Sequence, residues 1–208
     1  MSRSEAVAVL GFAPHSGWAA VVGLGGSRAE PEILVRSRVE IADPARPESK
    51  QPYHAVEALG RKEAAEQLDR YMKAAQANAY QAIQALMKDL EQAGWRTTSA
   101  GILDSSGRKG SSLDSILASH ALIHTADGDH FRHALATVAE RSGLTVSRIR
   151  VRGLESEAAA RLARPLSSLQ KAVHDLGRRV GPPWGADQKM AALLAWLLLP
   201  ERGRRTVR

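Results

Sequence analysis

Residues 5–42 hold three β-type runs separated by two short turns, and this opening limits the fold more than any other feature of the chain. The first two runs, "EAVAVLGFA" (5–13) and "GWAAVVGLG" (17–25), are apolar and joined by "PHS", with Gly25-Gly26 closing the second. The third, "EILVRSRVEIA" (32–42), alternates: Val35, Ser37, Val39 and Ile41 fall on one side, and Arg36, Arg38 and Glu40 on the other. A period of two with one polar side is the mark of a half-buried strand. The three runs therefore predict an antiparallel meander.

The remainder is helical in period except for two further strands. "DPARPESKQPY" (43–53) carries three prolines and no apolar period, so it reads as a loop. A long helix is expected over about 55–93, where Val56, Leu59, Leu68, Met72, Ala75, Ala79, Ile83, Leu86 and Leu90 recur at helical spacing up to Gly94. From Arg61 to Ala93 it would run about 50 Å. A helix of that length should project, kink or meet a second subunit, which makes a homo-oligomer the expectation. A strand at 98–104 and another at 145–151 follow, the latter placing Arg148, Arg150 and Arg152 on one face. Between them, helices are expected at 112–126 and 129–142, divided at Gly128. Helices at about 155–163, 165–179 and 186–199 lead to a basic tail at 200–208. The order predicts one α/β domain over 1–208, with a mixed five-stranded sheet and helices on both faces.

Charge divides the chain. Residues 1–104 hold 12 Lys/Arg and 13 Asp/Glu, net −1; residues 105–208 hold 17 and 9, net +8. Arginine outnumbers lysine, and its planar fork suits phosphate oxygens. Only 4% of residues are aromatic, too few for binding led by base stacking. The chain has no cysteine, which excludes disulfides, thiolate metal sites and thiol nucleophiles. No apolar stretch reaches the roughly 18–20 residues that span a bilayer, and the first residues lack the pattern of a secretion signal. A cytoplasmic protein with no membrane partner is expected.

The order of elements resembles the ribonuclease H-like superfamily, and within it the RuvC-type junction resolvases. "VLGFAPHSGWAAVV" is similar to that family's first hairpin, where a Gly-Ile-Asp-Pro-Gly stretch precedes the turn. "DSSGRKGSS" follows the fourth strand, whose end carries an acid in the family; Asp104 matches it. "PWGADQKMAALLAW" looks like the terminal helix with its metal-binding aspartate; Asp187 matches. The departure is Ala13, which stands where the first-strand aspartate would be. The actin-like ATPases share the three-strand start but need two such domains and a Gly-rich phosphate hairpin, for which this chain is too short.

Three groups of residues carry candidate chemistry. Asp104 and Asp187 are the candidate catalytic pair, because two-metal cleavage of phosphodiesters needs converging carboxylates. The loop "SSGRKGSS" is a candidate anion site through Ser105, Ser106, Arg108, Lys109 and Ser111, joined by Arg148, Arg150 and Arg152. Equally, Ser111 or Ser112 serves as an N-cap there. In "SHALIHTADGDHFRH", His120 and His124 share a helix face, as do His130 and His133, with Asp127 and Asp129 between. These imidazoles are candidate metal ligands, although Asp127 equally caps a second helix. The metals would be Mg²⁺ at the carboxylates or a transition metal at the histidines, and the residues fix neither.

The leading expectation is a ribonuclease H-like protein with a degenerate active site that binds nucleic acid or another polyanion without cleaving it. Two alternatives stand beside it. One is a metal-dependent nuclease or phosphodiesterase using Asp104 and Asp187; the other is an interaction scaffold with no nucleic-acid role.

Overall fold

β1 (Ala6–Pro14) is buried from Ala8 onward, and β2 (Trp18–Gly26) is buried over most of its length; they turn on one another through Gly17, whose φ of 88° is open to glycine. The structure, a computed structural model, describes residues 6–105, 107, 110 and 112–201. β3 (Pro31–Glu40) completes the antiparallel meander against β2. β4 (Trp95–Asp104) lies parallel to β1 on its other side, and β5 (Thr145–Arg150) lies parallel to β4. The sheet is mixed and five-stranded, in the order β3-β2-β1-β4-β5.

Parallel neighbours need long crossovers, and the helices supply them. α1 (Pro52–Ala55) and α2 (Arg61–Gln92) lie between β3 and β4. α3 (Leu113–Leu117) and α4 (His120–Arg141) lie between β4 and β5, and α5 (Leu154–Arg161), α6 (Leu166–Val180) and α7 (Ala186–Leu198) follow. Strand alternation divides the core in two. Ala8, Leu10, Phe12, Ala100 and Ile102 meet the buried stripes of α2 and α4. Val9, Ala13 and Leu103 meet α5, α6 and α7 on the opposite face.

α7 presses hardest on the sheet. A Cβ on Gly11 would lie 2.0 Å from the Ala191 carbonyl oxygen, and one on Gly101 would lie 2.6 Å from Leu194. The C-terminal end of α7 is held by Arg28, whose guanidinium donates to the carbonyls of Leu199 (2.9 Å) and Leu197 (3.1 Å). Those are the acceptors a helix end leaves unpaired. The buried Trp196 indole returns a bond to the Arg28 carbonyl at 2.9 Å. α7 is thereby fixed lengthwise, with its first turn over the end of β1.

The structure departs from the sequence reading in four places. The proline-rich segment contains a 3₁₀ turn (Pro47–Lys50) and α1, and the long helix starts only at Arg61, leaving 32 residues or about 48 Å. Gly128 does not divide α4; the break falls earlier, at Ala118 and Ser119, inside the helix expected over 112–126. A glycine within a helix costs about 1 kcal/mol against alanine, and the buried stripe of Ile123, Phe131, Ala134, Leu135 and Val138 outweighs that. A Cβ at Gly128 would also meet the Arg132 guanidinium at 2.4 Å, so the glycine leaves room for that side chain. Asp127 lies inside the helix and caps nothing. Finally, the apolar stripe of α2 (Tyr71, Ala75, Ala79, Ile83, Leu86, Leu90) is buried within the chain, so the stripe supplies no face for the expected homo-oligomer. Among the described residues no helix is long and apolar enough to cross a membrane.

Candidate functional site

The carboxyl ends of β1 and β4 and the first turn of α7 surround an open cleft of about 440 Å³. Ala13, His15, Ser105, His124, Arg132 and Asp187 are among its lining residues. Asp187 does not cap α7: Gly185 occupies that position, its N–H donating to Gln188 Oε1 at 2.9 Å. The carboxylate instead meets His15 Nε2 at 2.9 Å. His15 is itself stacked on Trp18, with ring centroids 4.3 Å apart and planes 8° from parallel. The Arg38 guanidinium lies 3.9 Å from the Trp18 ring centroid, a cation–π contact. The turn "PHSGW" thus places an imidazole against the terminal-helix aspartate.

Asp104 faces elsewhere. Along β4, Leu103 packs with the α7 layer, while Ala100 and Ile102 pack with α2 and α4, so alternation turns Asp104 toward α4. Its Oδ1 accepts from Arg148 Nη2 of β5 at 2.9 Å and from the Ser105 N–H at 2.9 Å. Ser105 Oγ donates to Asp129 at 3.0 Å. Arg132 donates through Nε to the Leu103 carbonyl at 3.1 Å and approaches Asp129 at 3.7 Å. Burial lowers the Arg132 guanidinium from its ordinary value; Asp129 and Asp104 oppose the shift and Arg148 adds to it. The two candidate catalytic aspartates therefore have separate partners, a guanidinium for one and an imidazole for the other.

Of the other candidate anion-binding residues, Arg150 and Arg152 are exposed at the end of β5. Ser106, Arg108, Lys109 and Ser111 lie outside the described residues, as do residues 202–208 of the basic tail. Ser112 caps α3, its hydroxyl accepting from the Ser115 N–H at 3.2 Å.

The histidines separate into two sets. His120 and His124, one turn apart at the start of α4, bring their Nε2 atoms to 3.0 Å. His54 of α1 joins them, each of the three offering a ring nitrogen within 4.8 Å of the other two. His54 is held by the buried Asp127, whose Oδ2 meets His54 Nδ1 at 2.5 Å and whose Oδ1 accepts from the Tyr53 N–H at 2.7 Å. His130 and His133 line a different cavity of about 270 Å³, with Tyr53, Asp129 and Arg148. His130 is buried and its Nε2 meets no partner among the described residues. Burial, the largest influence, lowers its pKa to about 4. Sequence reasoning missed His54, because a lone histidine in a proline-rich segment 66 residues before His120 carries no periodic signal. It also missed His15 and Arg132.

No protein-family model matches the chain, and no curated protein matches it. Among solved structures, it is similar to RuvC of Thermus thermophilus, with 12% identity, 92% of each chain covered and a TM-score of 0.52. The fold is ribonuclease H-like. T. thermophilus RuvC in complex with a Holliday junction substrate superposes at 12% identity over 92% of this chain and 91% of that one, with a TM-score of 0.49. A Ppx/GppA family member of Aquifex aeolicus gives 10% identity, 76% and 40% coverage and a TM-score of 0.37. The assignment rests on the first of these together with the strand order.

A two-ion centre needs several converging carboxylates. The residues present do not fit one. Position 13 is an alanine, Asp104 is ion-paired with Arg148, and Asp187 is paired with His15. The Arg148 guanidinium on Asp104 Oδ1 competes with a divalent ion for that oxygen and repels the ion.

Proposed function

We propose that this chain is a ribonuclease H-like protein that holds a phosphate backbone, of nucleic acid or a similar polyanion, without two-ion cleavage. The observation that carries the reading is the pairing of Asp104 with Arg148 at 2.9 Å, beside a strand end where position 13 is an alanine. An alanine at one strand end and a neutralised carboxylate at the next shift the end of the sheet from attracting divalent cations toward accepting anions. Arg132 lines the cleft, and Arg150 and Arg152 are exposed at the neighbouring strand end. The excess of basic residues in the second half of the chain, 17 against 9, supports the same sign. With few aromatic side chains, recognition would be electrostatic and led by shape.

The test is to incubate labelled duplex and branched DNA with the full chain in Mg²⁺ and in Mn²⁺. A retarded complex with intact strands is expected. Ala13→Asp alone should leave the strands intact as well, because Arg148 still holds Asp104. Cleavage by the unmodified protein, abolished by Asp104→Asn, would overturn the proposal and favour the metal-dependent nuclease. Absence of any complex at low salt would overturn it in favour of an interaction scaffold.

A further inference from the structure

We infer that His54, His120 and His124 form a binding site for one transition-metal ion, of the Zn²⁺ class, at the edge of the cleft. The inference is independent of whether the cleft holds a phosphate backbone. It begins with spacing: His120 and His124 are four residues apart, so one helix turn puts both imidazoles on the same side of α4. Their Nε2 atoms lie 3.0 Å apart. Two imidazoles bound tetrahedrally to zinc, with bonds of about 2.0–2.1 Å, hold their nitrogens about 3.3 Å apart. The pair is therefore already near the separation that a shared ion would impose.

His54 approaches both rings edge-on. Its centroid lies 5.4 Å from that of His120, with planes 90° apart, and 4.5 Å from that of His124, with planes 61° apart. The His120 and His124 planes are themselves 77° apart. Rings so inclined are not stacked on one another, and their nitrogens can be directed to a common point.

Asp127 supplies the strongest argument. Its side chain is 3% exposed, and it spends both oxygens on α1, one on the Tyr53 N–H and one on His54 Nδ1. A carboxylate on Nδ1 fixes the tautomer, so that Nε2 of His54 carries the free lone pair. Buried carboxylate, histidine and metal in series is the arrangement by which proteins orient a metal-binding imidazole and raise its basicity. The same carboxylate ties α1 to α4 and so fixes where the His54 ring lies. Three neutral nitrogen donors suit Zn²⁺, Co²⁺ or Ni²⁺ over Mg²⁺ or Ca²⁺, which prefer oxygen. His120 and His124 are exposed, so a fourth position is left for water or an incoming ligand. His124 also lines the cleft that contains Asp187 and Arg132, which places the ion within that cleft's reach.

The experiment is calorimetric titration of tag-free full chain with Zn²⁺, together with the visible absorption spectrum of the Co²⁺-loaded protein. One equivalent should bind, and Co²⁺ should give the intense bands of four-coordinate geometry. His120→Ala and His124→Ala should each abolish saturable binding and those bands. Asp127→Asn, which weakens the hold on His54, should lower affinity by about 10- to 100-fold. His174→Ala, exposed on α6 in the layer opposite α4, should change nothing. His120 and His124 are exposed, so their variants should keep the far-ultraviolet circular dichroism of the parent; if Asp127→Asn fails to fold, these two decide. Absence of saturable Zn²⁺ binding would overturn the inference. So would binding that survives both His120→Ala and His124→Ala, because the 3.0 Å contact would then be only a hydrogen bond between two imidazoles.

Discussion

His130 lies six residues beyond His124 on the same helix, yet its surroundings give it different chemistry. His124 is exposed beside two other imidazoles; His130 is 4% exposed, packs edge-on to Phe131 and Tyr53, and titrates near 4. Burial is the main cause and the nearby His133 adds to it, while a bond with the Tyr71 backbone opposes both. The sign follows directly. The folded pKa lies below the ordinary value of about 6.5, so the unfolded chain takes up the proton first. The contribution of His130 is full above about pH 6.5 and is lost as the pH falls toward 4. Over that window the loss is on the order of 3 kcal/mol. Urea midpoints measured between pH 7 and 4 should fall, and His130→Leu should flatten that part of the profile even though it lowers the midpoint at neutral pH. An unchanged slope would place the acid sensitivity elsewhere. The i, i+4 pair His120 and His124 was legible in the sequence, because helical spacing alone puts two such residues together. Their partners were not. The His54–Asp127 contact joins residues 73 apart, and Asp127 before Gly128 has the local look of a cap. Only tertiary packing turns it inward.

At the scale of elements, most of the fold was legible. Apolar runs gave β1 and β2, alternation gave β3, and the same alternation in Arg148, Ile149 and Arg150 gave β5. The strand order follows from short turns within the meander and long crossovers after it. What stayed hidden depends on contact between elements. Gly11 reads as one more small residue in an apolar strand, but it is where the backbone of α7 rests on β1. A methyl group there would lie 2.0 Å from a backbone oxygen, and no side-chain rotation relieves that. Gly11→Ala should therefore destabilise the protein by about 3 kcal/mol through overpacking. The same change should shift the first turn of α7 and with it the contact between Asp187 and His15. Denaturant unfolding measures the first effect, and the histidine side-chain NMR signal of His15 reports the second. A variant as stable as the parent, with the His15 signal unmoved, would mean that α7 is not seated on Gly11. Gly128 teaches the converse: a residue that breaks helices in isolation is carried within α4 because a buried stripe continues on both sides of it.

For the whole molecule, charge divides along the chain much as the topology does. The amino-terminal half supplies the meander and is nearly neutral. The carboxyl-terminal half supplies β5, the helices beyond it and a net charge of +8. At the ends of β1 and β4 the chain has Ala13 and an Asp104–Arg148 ion pair. A protein built this way should bind phosphate through many weak charge contacts, each releasing a counterion. The most direct test is the affinity for a short labelled duplex, measured by fluorescence anisotropy between about 50 and 200 mM salt. A linear fall of log affinity against log salt is expected, with a slope on the order of −3 or steeper, as three or more phosphate contacts would give. Affinity that stays flat across that range would contradict a phosphate-holding role for the cleft and its arginines.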